Sequence, residues 1–176
     1  SSLVLKPMNL SRVAEHARRH GVLTIIDNSW ATPVFQRPLT QGIDLVVHSA
    51  SKYISGHSDT VAGVAVGSTK LIARIRDLTL SLLGGKLAPF EAWLLIRGLR
   101  TLEIRMLRHQ STANYIIERL SALSCVTAVH SPGPNSVAGL TGRTGLISVE
   151  FSEKIDIPRF VDALRHFRIG VSWGGF

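Results

Sequence analysis

A lysine framed by hydroxyls stands in Ser49-Ala50-Ser51-Lys52-Tyr53, followed closely by Gly56-His57-Ser58-Asp59. Twenty-five positions before Lys52, the segment Ile25-Ile26-Asp27-Asn28 closes an apolar run on a carboxylate. A primary amine condenses with an aldehyde, a carboxylate can face a ring nitrogen, and short hydroxyls can hold a phosphate. These groups together suit pyridoxal phosphate. Lys52 would be its attachment point and then a base, and Asp27 would keep a proton on the pyridine nitrogen. Ser49 and Ser51 would supply hydroxyls to the phosphate. An isolated aspartate after a strand is ordinarily a turn residue, and an isolated lysine is ordinarily solvated. Context changes that reading, because open α/β sheets bind ligands beyond the carboxyl ends of their strands. Both residues fall there if the two apolar runs are strands.

The elements that must position these groups are legible from pattern. Asn9 or Ser11 can cap a helix running to about His20, with Val13, Ala14 and Ala17 on one face and Gly21 as its stop. Residues 22–26 are continuously apolar, which predicts a strand covered on both faces. Residues 44–48 and 61–66 predict two further strands, and a helix follows from Ser68 or Thr69 to about Leu78. Pro89 can open a long helix reaching Leu120, with a bend near Gly98. Beyond Ser121 come a strand at 126–130, a Pro/Gly-rich loop at 131–142 and a strand at 145–151. A helix at 158–167 and a last strand at 169–172 complete the pattern. The fold class expected is α/β: a mixed, mainly parallel sheet with helices over 1–100, then a small α+β domain over 101–176. The boundary is expected inside the long helix, near 98–108.

Composition excludes several classes. With 45% hydrophobic and 18% charged residues, the chain is that of a folded protein with a substantial core. No apolar run approaches the ~20 residues that cross a bilayer, so no membrane partner is expected. The lone Cys125 rules out an internal disulfide framework and fits a reducing, cytoplasmic setting, with buried packing as its role. A net charge of +8 invites a nucleic-acid reading, but the arginines are spread along helical patterns and no stacking motif accompanies them. His48 and His57 flank the lysine without a cluster of metal-ligand spacing, so no metal is expected. Gly84-Gly85 and Gly174-Gly175 are too sparse for a dinucleotide fingerprint.

Four stretches together resemble a known family. They are Asp27-Asn28-Ser29-Trp30-Ala31-Thr32-Pro33, His48-Ser49-Ala50-Ser51-Lys52-Tyr53, Arg97-Gly98-Leu99-Arg100-Thr101-Leu102 and Ser172-Trp173-Gly174-Gly175-Phe176. In this order they resemble the pyridoxal-phosphate-dependent enzymes of Cys/Met metabolism, the transsulfuration group, through nearly the whole chain. The resemblance implies a fold-type-I large domain, with 1–100 as its C-terminal part, and a truncated small domain. It implies Lys52 as the cofactor lysine and Asp27 as the pyridinium partner. Ser49 and Ser51 would lie at the phosphate with the Ala50 backbone between them, and Ser172 near the substrate carboxylate or Lys52. Trp30, Trp173, the 56–59 segment and Thr141-Gly142-Arg143-Thr144-Gly145-Leu146 resemble the cystathionine β-lyase branch.

The activity so implied is α,β-elimination of cystathionine to homocysteine, pyruvate and ammonia, in a homo-oligomer built as a dimer of dimers. A γ-synthase or γ-lyase is the alternative within the family. The family's upstream phosphate loop, its ring-stacking tyrosine and a Tyr/Arg pair for the neighbouring subunit are missing here, as is a downstream arginine for the substrate carboxylate. The chain therefore reads as a fragment. A reading from another class follows: an inactive remnant that acts only through association.

Overall fold

The strand β2 (Leu45–Ser49) is the axis of the N-terminal half. The computed structural model describes residues 4–170 and 172–175. On one side β2 pairs in parallel with β1 (Ile25–Asp27), Asp27 standing opposite Val47. On the other it pairs antiparallel with β3 (Gly63–Gly67), Ser49 opposite Gly63. The sheet is thus mixed, in the order β1-β2-β3. Its parallel pair is pinned at the starting end by polar contacts. The Thr24 N–H and hydroxyl both donate to Asp44 Oδ2, at 2.8 and 2.7 Å, and the Asp44 N–H returns a bond to Thr24 Oγ1 at 3.0 Å. Those hydrogen bonds from Thr24 hold the Asp44 carboxyl below its ordinary value.

The helices form where their caps are. In α1 (Leu10–Arg19) the Asn9 side chain accepts from the Arg12 N–H, and Leu10 and Ala14 pack with Ile43 and Val46 over the sheet. Of the expected face, Ala14 is buried and Ala17 half-buried, but Val13 is exposed and Leu10 takes its place in the apolar stripe. Between β1 and β2 run the short α2 (Thr32–Phe35) and a 3-10 turn (Pro38–Gln41). After β3 comes α3 (Thr69–Leu78), capped by Ser68, and a π-helical turn over Thr79–Leu83.

The expected long helix is two helices, α4 (Pro89–Leu99) and α5 (Leu102–Ser121), broken at Arg100 and Thr101. The C-terminal unit pairs β4 (Val126–His130) antiparallel with β5 (Ser148–Phe151). The last helix, α6 (Ile157–Asp162), opens on an Asp156 cap and is shorter than the 158–167 pattern suggested. No strand forms over 169–170 or at Ser172, and Val171 lies outside the described residues. The expectation that 22–26 is covered on both faces also fails: Val22, Leu23 and Ile25 are 60–67% exposed, because β1 is an edge strand among the described residues. Cys125 is half-buried.

One core cluster joins elements from both sides of position 100. Ala31, Phe35 and Tyr53 meet Leu102, Met106 and Leu140, with Trp30 and Trp173 packed against them. Met106 has no exposed surface. Met106→Ala should therefore cost roughly 2–5 kcal/mol of stability, read by chemical denaturation.

Two imidazoles sit within this framework. Burial pushes His48 below the ordinary 6.5, against the opposing charge of Asp27. Burial, aided by the Arg105 charge, does the same to His109. Near and below pH 6.5 the unfolded chain binds protons that the folded chain refuses. Stability contributed by these groups is complete above that pH and is lost as pH falls through it. Thermal melts from pH 7.5 to 5.5 should show a falling Tm, and His48→Gln should flatten the fall.

Candidate active site

Asp27 ends β1, where the chain must leave the sheet, and the next residues fix its carboxylate. The Ser29 N–H donates to Asp27 Oδ1 at 2.8 Å. Ser29 Oγ in turn accepts from the Ser49 N–H, which ties the ends of β1 and β2 together. Asn28, 2% exposed, builds the turn beyond: its Nδ2 donates to Thr32 O at 3.2 Å and to Gln36 O at 3.0 Å. The Asn28 N–H donates to Val47 O at 2.9 Å, extending the strand pairing past Asp27. The Asp27 carboxylate is thus held at a fixed place beside Ser49.

Lys52 sits in a tight turn that follows β2. The Lys52 N–H donates to Ser49 O at 3.1 Å, the Gly56 N–H to Lys52 O at 2.8 Å, and the Ser55 N–H to Ala50 O at 2.8 Å. Lys52 Nζ donates to Ser172 Oγ and lies 5.3 Å from the centre of the Trp173 ring. That ring also packs on Tyr53, centroids 5.3 Å apart. Gly174 has φ +90°, and a Cβ there would stand 3.0 Å from both Lys52 Cβ and Tyr53 N. Only glycine lets the 172–175 segment lie this close on the lysine turn. Ser172 itself adopts φ +99°, a costly conformation for a residue with a side chain. Tyr53 is buried, which pushes its phenol up, while hydrogen bonds from the Thr144 hydroxyl and the Gly145 N–H act the other way.

A cavity of about 440 Å³ gathers most of these groups. Asp27, Ser49, Lys52, Trp30 and Trp173 line it, with Leu140 and Leu146 from the C-terminal unit. The buried indole N–H of Trp30 has no partner among the described residues. Ala50 and Ser51 do not line it. Ala50 is fully buried in a small cluster with Ile54 and Leu95. The Ser51 hydroxyl accepts from the Ala62 N–H at 2.9 Å and meets Ala62 O at 3.3 Å, so it fastens the lysine turn to the start of β3. Phe176 of the 172–176 segment lies outside the described residues.

Several residues of the site had no signal of their own in the sequence. Ser29 and Asn28 act through hydrogen bonds within a loop, and only their place after Asp27 marks them. Arg105 lies 53 positions after Lys52 yet donates to Tyr53 O at 2.7 Å. Outside the cavity, Asp59 accepts from Ser55 Oγ at 3.0 Å and forms a partly exposed ion pair with Arg97 of α4. Among the described residues no three metal-ligating side chains cluster, and no helix is long and apolar enough to cross a membrane.

Comparison with known proteins matches nearly the whole chain. The family model described as Cys/Met metabolism PLP-dependent enzyme covers residues 1–176. A cystathionine beta-lyase of Lactococcus lactis subsp. cremoris (strain MG1363) is 36% identical over 182 residues, spanning 99% of this chain and 48% of the relative. An L-methionine gamma-lyase of Pseudomonas putida is 42% identical over 179 residues, spanning 94% of this chain and 44% of the relative. Among solved structures, a cystathionine gamma synthase from Xanthomonas oryzae pv. oryzae, in complex with aminoacrylate and cysteine, superposes with a TM-score of 0.91. It is 36% identical, and the match covers 99% of this chain and 47% of that one. The chain spans about half the length of the curated relatives it matches. With the family model matching residues 1–176 and the fold agreeing over 99% of the chain, the chain belongs to the family of pyridoxal-phosphate-dependent enzymes of Cys/Met metabolism.

Proposed function

We propose that this chain carries the cofactor-attaching part of a carbon–sulfur lyase that acts on cystathionine by α,β-elimination. The observation that carries the reading is the convergence of Lys52, Asp27 and Ser49 on one cavity, with Ser172 bonded to the lysine amine. The residues fit pyridoxal phosphate: an amine, a carboxylate and hydroxyl donors share a space of about 440 Å³. Small-ligand pockets span roughly 300–1,000 Å³. When bound, the cofactor supplies an electron sink that acidifies the α-hydrogen of an amino acid.

The chain's own residues then have distinct tasks. Lys52 Nζ would hold the cofactor and, as a free amine, would take the α-proton at short range. Ser172 Oγ accepts from that amine and orients it, with the Trp173 ring centre 5.3 Å away. Asp27, fixed by the Ser29 N–H, would hold a proton on the cofactor's ring nitrogen. Ser49 offers its hydroxyl to the phosphate with the Ala50 backbone beside it. Ser51 would do the same only by releasing Ala62 O, since its hydroxyl here faces Ala62 and not the cavity. Ser172 would also serve the substrate carboxylate. Homocysteine, pyruvate and ammonia are the products.

The division into a large-domain part at 1–100 and a small domain at 101–176 is supported by the helix break at Arg100 and Thr101. A homo-oligomer is supported by Leu82, Leu83, Phe90, Trp93 and Ile96, all more than half exposed on the stretch from the π-turn into α4. A γ-lyase or γ-synthase reading is favoured by the 42% identity to a methionine gamma-lyase and by the gamma-synthase superposition.

The test is direct. The purified chain mixed with pyridoxal phosphate should turn yellow, and borohydride should trap the cofactor on Lys52 in a peptide map. Lys52→Ala should remove the colour and lower turnover by ~10²–10⁴-fold or more. Asp27→Asn should keep the attachment while weakening cofactor retention on dialysis. Pyruvate released from cystathionine supports the β-lyase reading, and 2-oxobutanoate supports the γ-lyase reading. No trapping on the unsubstituted chain overturns the cofactor reading and leaves an association remnant.

A further inference from the structure

The lysine turn ends on carbonyls that its own backbone cannot satisfy. Tyr53 and Ile54 are both buried, and a buried carbonyl without a donor costs about 1–3 kcal/mol. One side chain supplies the donors. Arg105 of α5 reaches Tyr53 O through Nη1 at 2.7 Å and Ile54 O through Nη2 at 3.4 Å. The same Nη2 donates to Gly98 O at 2.8 Å, and Nε donates to Thr101 Oγ1 at 3.0 Å. The guanidinium therefore caps two C-terminal ends at once, that of α4 and that of the turn holding Lys52. Positive charge is favourable at both, since the carbonyl ends of such segments carry partial negative charge.

The surroundings are shaped to this arginine. Gly56, φ +68°, leaves no room for a Cβ, which would stand 3.0 Å from Nη2 and closer to the rest of the guanidinium. Gly98 faces the turn the same way: a Cβ there would stand 2.6 Å from Ser55 O and nearer still to Ile54 O. Arg105 has no carboxylate partner among the described ion pairs. Its planar fork meets several carbonyls that a lysine ammonium, a point charge, could not reach together.

We infer that Arg105 is a positioning residue for Lys52: by gripping the carbonyl next to the lysine it fixes where the amine stands toward Asp27 and Ser172. This rests on Lys52 being the cofactor lysine. A displacement of ~1 Å at such a group can cost ~10²-fold in rate.

The experiment measures how fast pyridoxal phosphate is trapped on Lys52 by borohydride in the whole chain, with Tm alongside. Arg105→Gln should slow trapping by ~10²-fold, and Arg105→Lys should fall between it and the unsubstituted chain. Arg97→Gln, which loosens the same loop at Asp59, should lower Tm and leave the trapping rate unchanged. The inference is overturned if folded Arg105→Gln traps at the original rate. It is equally overturned if Arg97→Gln slows trapping as much at the same loss of Tm. Should Arg105→Gln not fold, Arg105→Lys is read in its place against the same comparison. If the unsubstituted chain traps nothing, the cofactor reading fails, and amide exchange at Ser55 and Gly56 then decides the grip alone. Exchange as slow in Arg105→Lys as in the original chain would dispose of it.

Discussion

The parallel register of β1 on β2 is the constraint from which the site follows. Asp27 pairs with Val47, so the chain leaves β1 on the carboxylate while β2 runs on to Ser49. Thr24 and Asp44 lock one end of the pair, and Ser29 bridges Asp27 to Ser49 at the other. A slip of one residue would invert every side chain of β1 relative to the sheet. Asp27 would then leave the cavity, and α1 would lose its seat on Val46 and Ile26. Two polar ties of modest individual worth thereby set the geometry of a carboxylate and an amine 25 residues apart.

Position alone does not fix an amine on a four-carbon stem. The turn that bears Lys52 is held from three directions: by Arg105 and Gly98 at its far end, by Ser51 on Ala62 at its β3 side, and by the 172–175 segment above it. Each contact depends on close approach of backbone. That is why glycines stand at 56, 98 and 174, where a methyl group would collide with a guanidinium or a main chain. Tyr53 completes the frame by reaching Thr144 and Gly145, so the C-terminal unit is fastened to the residue beside the lysine. The core cluster that joins Tyr53, Met106 and Leu140 supplies the apolar burial behind these polar contacts.

Local signals were readable where the physics is local. Asn9 and Ser68 cap helices because a short polar side chain satisfies an orphan N–H three residues on. The strand at β2 announces itself by branched apolar residues, and the lysine motif by its hydroxyls. The run at 22–26 misled because continuous apolarity reports what a strand can be buried by, not what covers it among the described residues. The long helix from Pro89 broke at Thr101, where Gly98 packs on the lysine turn and Arg105 draws the carbonyl at its end. Pattern indicated a bend there, but the partner causing it lies some 45 residues upstream.

The sequence by itself determined which chemistry is available: an amine, a carboxylate and hydroxyls placed at strand ends, in an order matching one family of cofactor enzymes. Composition, caps and spacing are properties of neighbours along the chain, and they suffice for that. Tertiary structure alone decided which of those groups meet. It brought Ser172 to Lys52 across 120 residues, turned Ser51 toward Ala62, and gave Arg105 the carbonyl beside the lysine. The physical reason is that a hydrogen bond acts over about 3 Å of space. Which groups come within that reach is set by the packing of sheet, helices and loops together.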